Sequence, residues 1–356
     1  MKMPKLKIGN LTINVPIIQG GMGVGISMSG LTGAVTKEGG IGVIATAMIG
    51  MFEKDCYQNH IEANIRALRR EIRKAREQSD GVLGVNIMVA ITDFANMVKT
   101  SIEEKIDVIF SGAGLPLNLP QYLTKDSNTK LVPIVSSARA AKILIKKWWG
   151  KYKYIPDAFV VEGPKAGGHL GFKIEQINDE RFSLEHLVKE VIETVKEFEI
   201  KFKKKIPVIA AGGIFTGKDI KKFLGLGASG VQMATRFVAT NECDADDSFK
   251  QSYIDAKKED TMIIKSPVGM PGRAIKNKFL DDVEKGKKKP FTCPYQCIIT
   301  CDYKTSPYCI AMALLNAQRG KFKHGYAFAG ENAYKVNKII PVKELMNKLQ
   351  QEYDDE

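Results

Sequence analysis

One histidine lies in a stretch of the chain that otherwise carries few polar side chains. The residues Val160-Val161-Glu162-Gly163-Pro164-Lys165-Ala166-Gly167-Gly168-His169-Leu170-Gly171-Phe172 run from an apolar strand into a glycine-rich loop. Glycines allow the backbone to approach a flat ligand and to adopt positive φ without a steric penalty. An imidazole beside such a ligand can move a proton near neutral pH. A simple tight turn is the alternative interpretation of this loop.

Two later segments have the composition of a phosphate-binding site. Each consists of a short apolar strand followed by polar or glycine residues: Gly212 and Gly213 after the first, and Gln232, Met233, Ala234 and Thr235 at the end of the second. Thr216 is a suitable N-cap for the helix expected after the first. Free backbone N–H groups and a helix N-terminus together bind phosphate. Glycines that only close the turns are the alternative.

Glycines also follow the first strand, in Gly20-Gly21-Met22-Gly23. This is not a dinucleotide fingerprint, because the expected helix and the acidic residue about twenty positions later are not in place. We therefore expect Gly21 and Met22 to lie against a planar ring. Asn86, at the end of a third strand, offers an amide to the polar edge of that ring or to the phosphate region. A phosphate with one planar ring indicates FMN rather than a dinucleotide.

Eight short apolar runs alternate with longer amphipathic segments, which predicts eight strands, most of them followed by helices. Continuous apolar runs are typical of parallel strands buried on both faces. The pattern therefore predicts an α/β fold, a (β/α)8 TIM barrel, with an open doubly wound sheet as the alternative. The strands are predicted at Asn14–Gln19, Ile41–Ala45, Val82–Ile87, Val108–Phe110, Val132–Val135, Ala158–Val161, Val208–Ala210 and Gly230–Met233, and the helices include Tyr57–Gln78, Phe94–Glu104, Ala138–Trp149, Leu184–Phe198 and Gly217–Leu226.

The alternation ends near Thr240, which predicts a barrel over 1–240. A smaller, mainly helical C-terminal subdomain over 241–330 is expected to cover the mouth of the barrel. Residues 331–356 are expected to form a helix that returns to the barrel, followed by a frayed acidic tail.

Four of the six cysteines fall close together in the expected cap, at Cys293, Cys297, Cys301 and Cys309. Their spacing is not the usual zinc pattern of paired Cys-x2-Cys. If the segment were helical, a spacing of four would place three thiols on one face. We favour buried free cysteines that pack the cap, and a metal or iron–sulfur site remains the alternative.

The bulk properties exclude several classes of protein. The chain has 356 residues, a formal net charge of +13 and 44% hydrophobic residues. Its basic residues are mixed with acids in helical patterns, and no nucleic-acid-binding module is present, so we expect a solvated basic surface without a nucleic-acid partner. The longest apolar stretch, Ile41–Phe52, is too short for a membrane span, and the N-terminus lacks a signal core. We expect a cytoplasmic protein.

Six collinear segments between residue 14 and about residue 240 resemble the nitronate monooxygenase (2-nitropropane dioxygenase) family, which includes the flavin-dependent type II enoyl-ACP reductases. These segments are Pro16–Met22, Gly39–Gly42, Gly84–Asn86, Glu162 with Ala166–Gly171, Ala210–Ile214 and Gln232–Thr235. The resemblance implies an FMN-bound barrel in which His169 is the catalytic base or orients the substrate. It assigns FMN contacts to Gly21, Met22, Asn86, Glu162, Gly167, Gly168, Gly212, Gly213, Gln232, Met233, Ala234 and Thr235.

The same resemblance leaves two reactions open. The first is oxidation of alkyl nitronates with O2 to a carbonyl compound and nitrite. The second is NAD(P)H-dependent reduction of an enoyl thioester, for which Glu162 is the more familiar residue and an acidic acyl carrier protein would be a partner. A flavin sensor without turnover is a third, less favoured hypothesis. The first reaction is the function that we predict.

Overall fold

A barrel of eight parallel strands forms the centre of the protein, in a computed structural model that describes residues 2–288, 293 and 295–355. Its strands are β3 (Ile17–Gln19), β4 (Gly42–Ala45), β5 (Leu83–Met88), β6 (Val108–Gly112), β7 (Lys130–Val135), β8 (Phe159–Glu162), β10 (Val208–Ala211) and β11 (Gly230–Met233). The order around the barrel is β3-β11-β10-β8-β7-β6-β5-β4, and a bridge between Ile18 and Ile41 closes it. The predicted closed barrel is confirmed, and the open doubly wound alternative is excluded.

Burial on both faces explains why these strands are mostly apolar. In β8, Val160 faces the barrel interior with Val132 and Ile209, whereas Val161 packs against the outer helices. Side chains alternate between the two faces of a strand, so both layers need apolar residues. An apolar run without alternation therefore predicts a parallel strand here, because both of its faces are buried.

Helices cover the outside of the barrel. They are α1 (Ser29–Lys37), α2 (His60–Gln78), α3 (Phe94–Glu103), α4 (Ala138–Tyr152), α5 (Leu184–Phe202), α6 (Gly217–Gly225) and the short α7 (Thr235–Val238). The C-terminal helix α11 (Val342–Asp354) packs against α1 and α6. Short 3-10 helices lie at Ile49–Phe52, Leu119–Tyr122, Ile174–Gln176, Glu180–Phe182, Lys258–Asp260, Phe322–His324 and Ala333–Lys335.

An N-terminal hairpin closes the barrel at the end where the strands begin. Its strands are β1 (Leu6–Ile8) and β2 (Leu11–Ile13), which pair antiparallel. Leu6, Ile8 and Ile13 are buried in the same cluster as the interior residues of the barrel. Sequence analysis did not predict this hairpin, because each strand has only three residues.

The region after the barrel combines helices with a small sheet. Its helices are α8 (Asp247–Ile254), α9 (Lys278–Glu284) and α10 (Ile310–Gln318). Strands β12 (Thr261–Lys265) and β13 (Pro271–Ile275) form a hairpin, and β13 also pairs with β9 (Gly168–His169) from the glycine-rich loop. The sheet therefore joins this region directly to the segment that carries His169.

The structure contains no candidate membrane-spanning segment in the part of the chain it describes, since none of its helices combines the necessary length and apolar character.

Candidate active site

A cavity of about 630 Å³ opens where the barrel strands end. Its walls come from the loops after the barrel strands and from the region after the barrel. The residues selected from the sequence all line it: Gly21, Met22, Asn86, Glu162, Gly167, Gly168, His169, Gly212, Gly213, Gln232, Met233, Ala234 and Thr235. The structure thus brings these residues together, whereas their individual roles remain predictions.

The loops after β10 and β11 form one end of the cavity. Gly212 and Gly213 have φ of +96° and +85°, a conformation that favours glycine. Neither amide takes part in the sheet ladders or in the loop hydrogen bonds of the described chain. The side-chain amide of Asn332 donates to the Gly213 carbonyl at 2.7 Å and braces this turn. Two amides are therefore available to an anion.

The N-terminus of α6 is already occupied by side chains of the protein. The amides of Phe215 and Thr216 donate to the Asp219 carboxylate at 2.9 and 2.8 Å. The amide of Gly217 donates to Glu352 Oε2 at 2.8 Å. These carboxylates accept the hydrogen bonds of the amides that sequence analysis predicted to bind a phosphate. The glycine amides, rather than this helix terminus, remain available for that role.

His169 is held from the region after the barrel. Its Nε2 lies 2.7 Å from Ser266 Oγ, and its ring contacts the edge of Phe328 with centroids 5.0 Å apart. Burial lowers the pKa of His169 to about 4, so the imidazole is neutral at pH 7. The pairing of Gly272 with His169 fixes the backbone beneath the ring.

Glu162, at the end of β8, is a carboxyl that faces the cavity without a partner in the described chain. Burial raises its pKa to about 7, and no charged group offsets the effect. A carboxylic acid kept neutral in this way can donate a hydrogen bond to a ligand. Such a perturbed group within a cavity is typical of a functional site.

The Asn86 side chain lies so close to the backbone of Gly21 that only glycine fits at this position. A Cβ placed on Gly21 would lie 2.4 Å from the Asn86 Cβ, so any larger residue would displace that side chain. The Asn86 carbonyl accepts hydrogen bonds from the Thr46 amide and hydroxyl at 3.1 and 3.0 Å. The backbone of β5 is thus fixed where the Asn86 side chain enters the cavity.

Sequence analysis missed Ser266, which lies 97 positions from its partner His169. Nothing in the local sequence indicates this contact. Arg273 on β13 does not line the cavity; its guanidinium donates to the Pro164 carbonyl at 2.9 Å and braces the glycine-rich loop. Tyr295 and Tyr308 are buried outside the cavity lining.

The cysteine segment is not helical between residues 295 and 301. The condition under which the spacing would place three thiols on one helical face is therefore not met. All four cysteines are free; Cys297 is buried and lines the cavity, and the other three are half-buried. Within residues 2–288, 293 and 295–355, no group of three or more His, Cys, Asp or Glu side chains could hold a metal ion.

Solved structures share this architecture. FabK from Thermotoga maritima is 29% identical, with a TM-score of 0.73, and the match covers 96% of this chain and 94% of that chain. Nitroalkane oxidase from Streptomyces ansochromogenes is 21% identical, with a TM-score of 0.73 and 96% coverage of both chains. At that identity, the second match shows the common fold.

Curated relatives carry two kinds of name. A probable nitronate monooxygenase of Staphylococcus aureus (strain MSSA476) is 27% identical over 311 residues, which cover 77% of this chain and 79% of that protein. The (3aS,4S,5R,7aS)-5-hydroxy-7a-methyl-1-oxo-octahydro-1H-indene-4-carboxyl-CoA dehydrogenases of Mycobacterium tuberculosis and Rhodococcus jostii are each 28% identical, and the chain spans 67% and 65% of their lengths, about two thirds.

A sequence model of one family extends over nearly the whole chain, beyond the six segments that first suggested it. The nitronate monooxygenase model matches residues 4–352, which include the barrel, the region after it and most of α11. Through the family match and these relatives, this protein is a flavin-dependent oxidoreductase. The chain belongs to the nitronate monooxygenase family.

Proposed function

We propose that this enzyme is an FMN-dependent nitronate monooxygenase, which oxidises alkyl nitronates with O2 to a carbonyl compound and nitrite. The observation that carries the proposal is a neutral His169, fixed by Ser266, at a cavity whose other end presents unpaired glycine amides. The family match supports the reaction class.

The residues of the cavity suit FMN. Gly212 and Gly213 offer free amides to a phosphate, and Thr235 adds a side chain on the neighbouring loop. Gly21 leaves room for a flat ring beside Asn86. Glu162, as a neutral acid, can donate to a ring carbonyl. Bound flavin would accept the electrons of the nitronate and deliver them to O2.

His169 is better suited to donate a hydrogen bond than to act as a base. With a pKa of about 4, it would abstract a proton from a neutral nitroalkane poorly. The Val268 amide donates to Ser266 Oγ at 3.4 Å, which leaves the hydroxyl proton for His169 Nε2. The other ring nitrogen, Nδ1, would then carry a proton and donate to a nitro oxygen. The substrate is accordingly the preformed nitronate.

A second candidate function is FMN-dependent reduction of an enoyl thioester by NAD(P)H. Two observations favour it: the neutral carboxyl of Glu162, and the likeness to FabK across nearly the whole chain. An acyl carrier protein would then be a partner of the basic surface, since the net charge of the chain is +13. The carboxyl-CoA dehydrogenases among the relatives also point to a thioester.

A paired assay separates the two functions. Purified protein with added FMN receives alkyl nitronates under air, and nitrite is measured; in parallel it receives NADH or NADPH with crotonyl thioester, and loss of reduced nucleotide is followed. Nitrite formation without thioester reduction is the expected result. Rapid nucleotide oxidation that depends on the thioester, without nitrite, would replace the proposal by the second function.

A further inference from the structure

We propose that four cysteines beside the cavity ligate an iron–sulfur cluster of the 4Fe–4S type: Cys293, Cys297, Cys301 and Cys309. Four thiolates are the ligand set that such a cluster takes. The spacing in the sequence left this site open as an alternative to packing, and the tertiary structure favours it. The site is independent of the proposed function, because neither of the two reactions requires it.

The sulfurs of these cysteines lie near one another. Burial and the thiols of Cys309, Cys293 and Cys301 together raise the pKa of Cys297 to about 12. Burial also raises the pKa of Cys309, and the thiols of Cys293 and Cys301 add to that effect. Electrostatic effects of this kind weaken with distance, so the four side chains form one group. All four thiols are free.

A cluster suits this group better than a single metal ion does. Around a zinc ion, every thiolate must lie about 2.3 Å from the same point. The part of the chain that the structure describes contains no group of three or more side chains placed to hold one ion in that way. In a 4Fe–4S cluster each iron takes one thiolate, so the four sulfurs stand further apart. The spacing Cys-x3-Cys-x3-Cys-x7-Cys also lacks the paired Cys-x2-Cys of common zinc sites.

Hydrogen bonds within the cysteine segment fold it into a compact loop. The side-chain amide of Gln296 donates to the Cys301 carbonyl at 2.8 Å and to the Ile298 carbonyl at 3.3 Å. The amide and the hydroxyl of Ser306 both donate to the Asp302 carbonyl, at 2.9 and 2.7 Å. Ser306 Oγ lies 3.9 Å from Cys301 Sγ. The loop therefore holds the Cys301 thiol in a defined place.

The start of α10 supports a charged sulfur at Cys309. This cysteine directly precedes the helix. The amides of Met312 and Ala311, in the first turn, lower the pKa of Cys309 against the larger effect of burial. The N-terminus of a helix stabilises a thiolate, which is the form that binds iron. The fold therefore presents one ligand with amides already directed towards it.

The cluster adjoins the cavity through Cys297. Cys297 and Ile298 line the cavity. The Thr92 amide donates to the Cys297 carbonyl at 3.2 Å, and the Ile299 amide donates to the Ala90 carbonyl at 2.9 Å. These bonds fix the cysteine segment to the loop after β5. The cluster is thus a second redox centre next to the cavity whose residues suit FMN.

Packing alone does not require cysteine at all four positions. A free cysteine fills space as a small apolar side chain, and other small residues do the same. Cys243 illustrates that ordinary case, because it is buried and its thiol donates to the Ile26 carbonyl at 3.5 Å. Cys243 therefore serves as the matched control for the cluster ligands.

The test is a chemical analysis of the full chain, purified without oxygen and then reconstituted with ferrous iron and sulfide. Iron and acid-labile sulfide are expected at about four each per chain. Reduction with dithionite should give an EPR signal that broadens on warming, unlike that of a flavin radical. Iron below about a tenth of an equivalent after reconstitution, iron without sulfide, or zinc alone would overturn the proposal.

A pair of variants locates the cluster. Cys301→Ala removes one ligand and should lose most of the iron and sulfide, whereas Cys243→Ala should keep the wild-type content. Equal contents in the two variants would show that the iron is held elsewhere and would also overturn the proposal. The wild-type analysis decides the matter by itself if Cys301→Ala does not fold.

The outcome is separate from that of the paired assay, because neither measurement involves turnover. Nitrite formation by a protein that takes up no iron would remove the cluster and keep the proposed function. A complete cluster in a protein that forms no nitrite would do the opposite.

Discussion

At the scale of single residues, two titratable groups in the cavity are kept neutral by burial. The pKa of His169 falls to about 4 and that of Glu162 rises to about 7. Neither has a counterion in the described chain, so desolvation alone controls both. The cavity therefore presents two uncharged hydrogen-bonding groups at pH 6, which suits a ligand with carbonyl and nitro oxygens.

Glu162→Gln should remove a pH dependence of flavin binding. A flavin that covers Glu162 favours its neutral form, so wild-type affinity should fall about ten-fold between pH 6.5 and 8.5, above the pKa of about 7. Glutamine does not titrate, and its affinity should stay constant. Riboflavin is the ligand for this fluorescence titration, because the phosphate of FMN itself titrates near pH 6. The same decline in both proteins would contradict the assignment.

Ser266→Ala should impair the histidine without loss of the cofactor. Without the hydroxyl, neither tautomer of His169 is favoured, and kcat/KM for a nitronate should fall about ten-fold. Ser266→Thr retains the hydroxyl and should recover most of the activity. FMN affinity, measured by fluorescence quenching, should stay within two-fold in both variants; a matching loss of FMN would indicate a structural role instead.

At the scale of elements, α11 connects the segment after β10 with the helix after β11, at the end of the cavity where the Gly212 and Gly213 amides lie. Glu352 on α11 accepts from the Gly217 amide at 2.8 Å and from the Arg236 guanidinium at 3.0 Å. Arg236 also donates to the Phe215 carbonyl at 3.1 Å. One carboxylate thus fixes the loop after β10 to the helix after β11.

Glu352→Ala should therefore weaken the binding of FMN by about ten-fold, since the loops lose their common support. Riboflavin, which lacks the phosphate, should bind with unchanged affinity. Glu352→Gln keeps an oxygen acceptor and should restore part of the FMN affinity. An equal loss for the two flavins would show that the substitution disturbs the whole cavity rather than its phosphate end.

At the scale of the whole molecule, half-buried polar contacts hold the region after the barrel in place. The carboxylate of Asp244 accepts from the amides of Met28, Gly30 and Leu31 at 2.8, 3.0 and 3.1 Å. These amides lie at the start of α1, so the carboxylate also suits the helix dipole. Burial raises the pKa of Asp244 even with these donors.

Asp244→Ala should lower the free energy of unfolding by about 3 kcal/mol, because three amides at the start of α1 lose a shared, half-buried charged acceptor. Asp246→Ala is the matched control: that carboxylate is exposed and caps α8 through the Ser248 amide at 2.8 Å, so its loss should cost about 1 kcal/mol. Urea unfolding of both variants measures the difference. An equal loss of unfolding free energy in the two would show that Asp244 stabilises the protein no more than an exposed helix cap does.

The barrel could be predicted because its signals are local. Each strand is a continuous apolar run, and each glycine-rich loop directly follows its strand, as in Val160 to His169. The helices were found with small differences at their ends; α2, for example, begins at His60 rather than Tyr57. The pairing of β13 with β9 joins segments about a hundred positions apart, and no local pattern predicts it. The division near residue 240 remains a prediction.

The sequence by itself determined which residues come together, since strands of one barrel all end at the same rim and carry their polar residues there. Only the tertiary structure decided which hydrogen-bond partners those residues have. Ser266 contacts His169 from 97 positions away, and Glu352 accepts the Gly217 amide at the helix terminus that sequence analysis predicted to bind a phosphate. The physical reason is that periodicity fixes which face and end of an element a residue occupies, whereas burial and hydrogen-bond partners arise from packing between elements far apart in the chain.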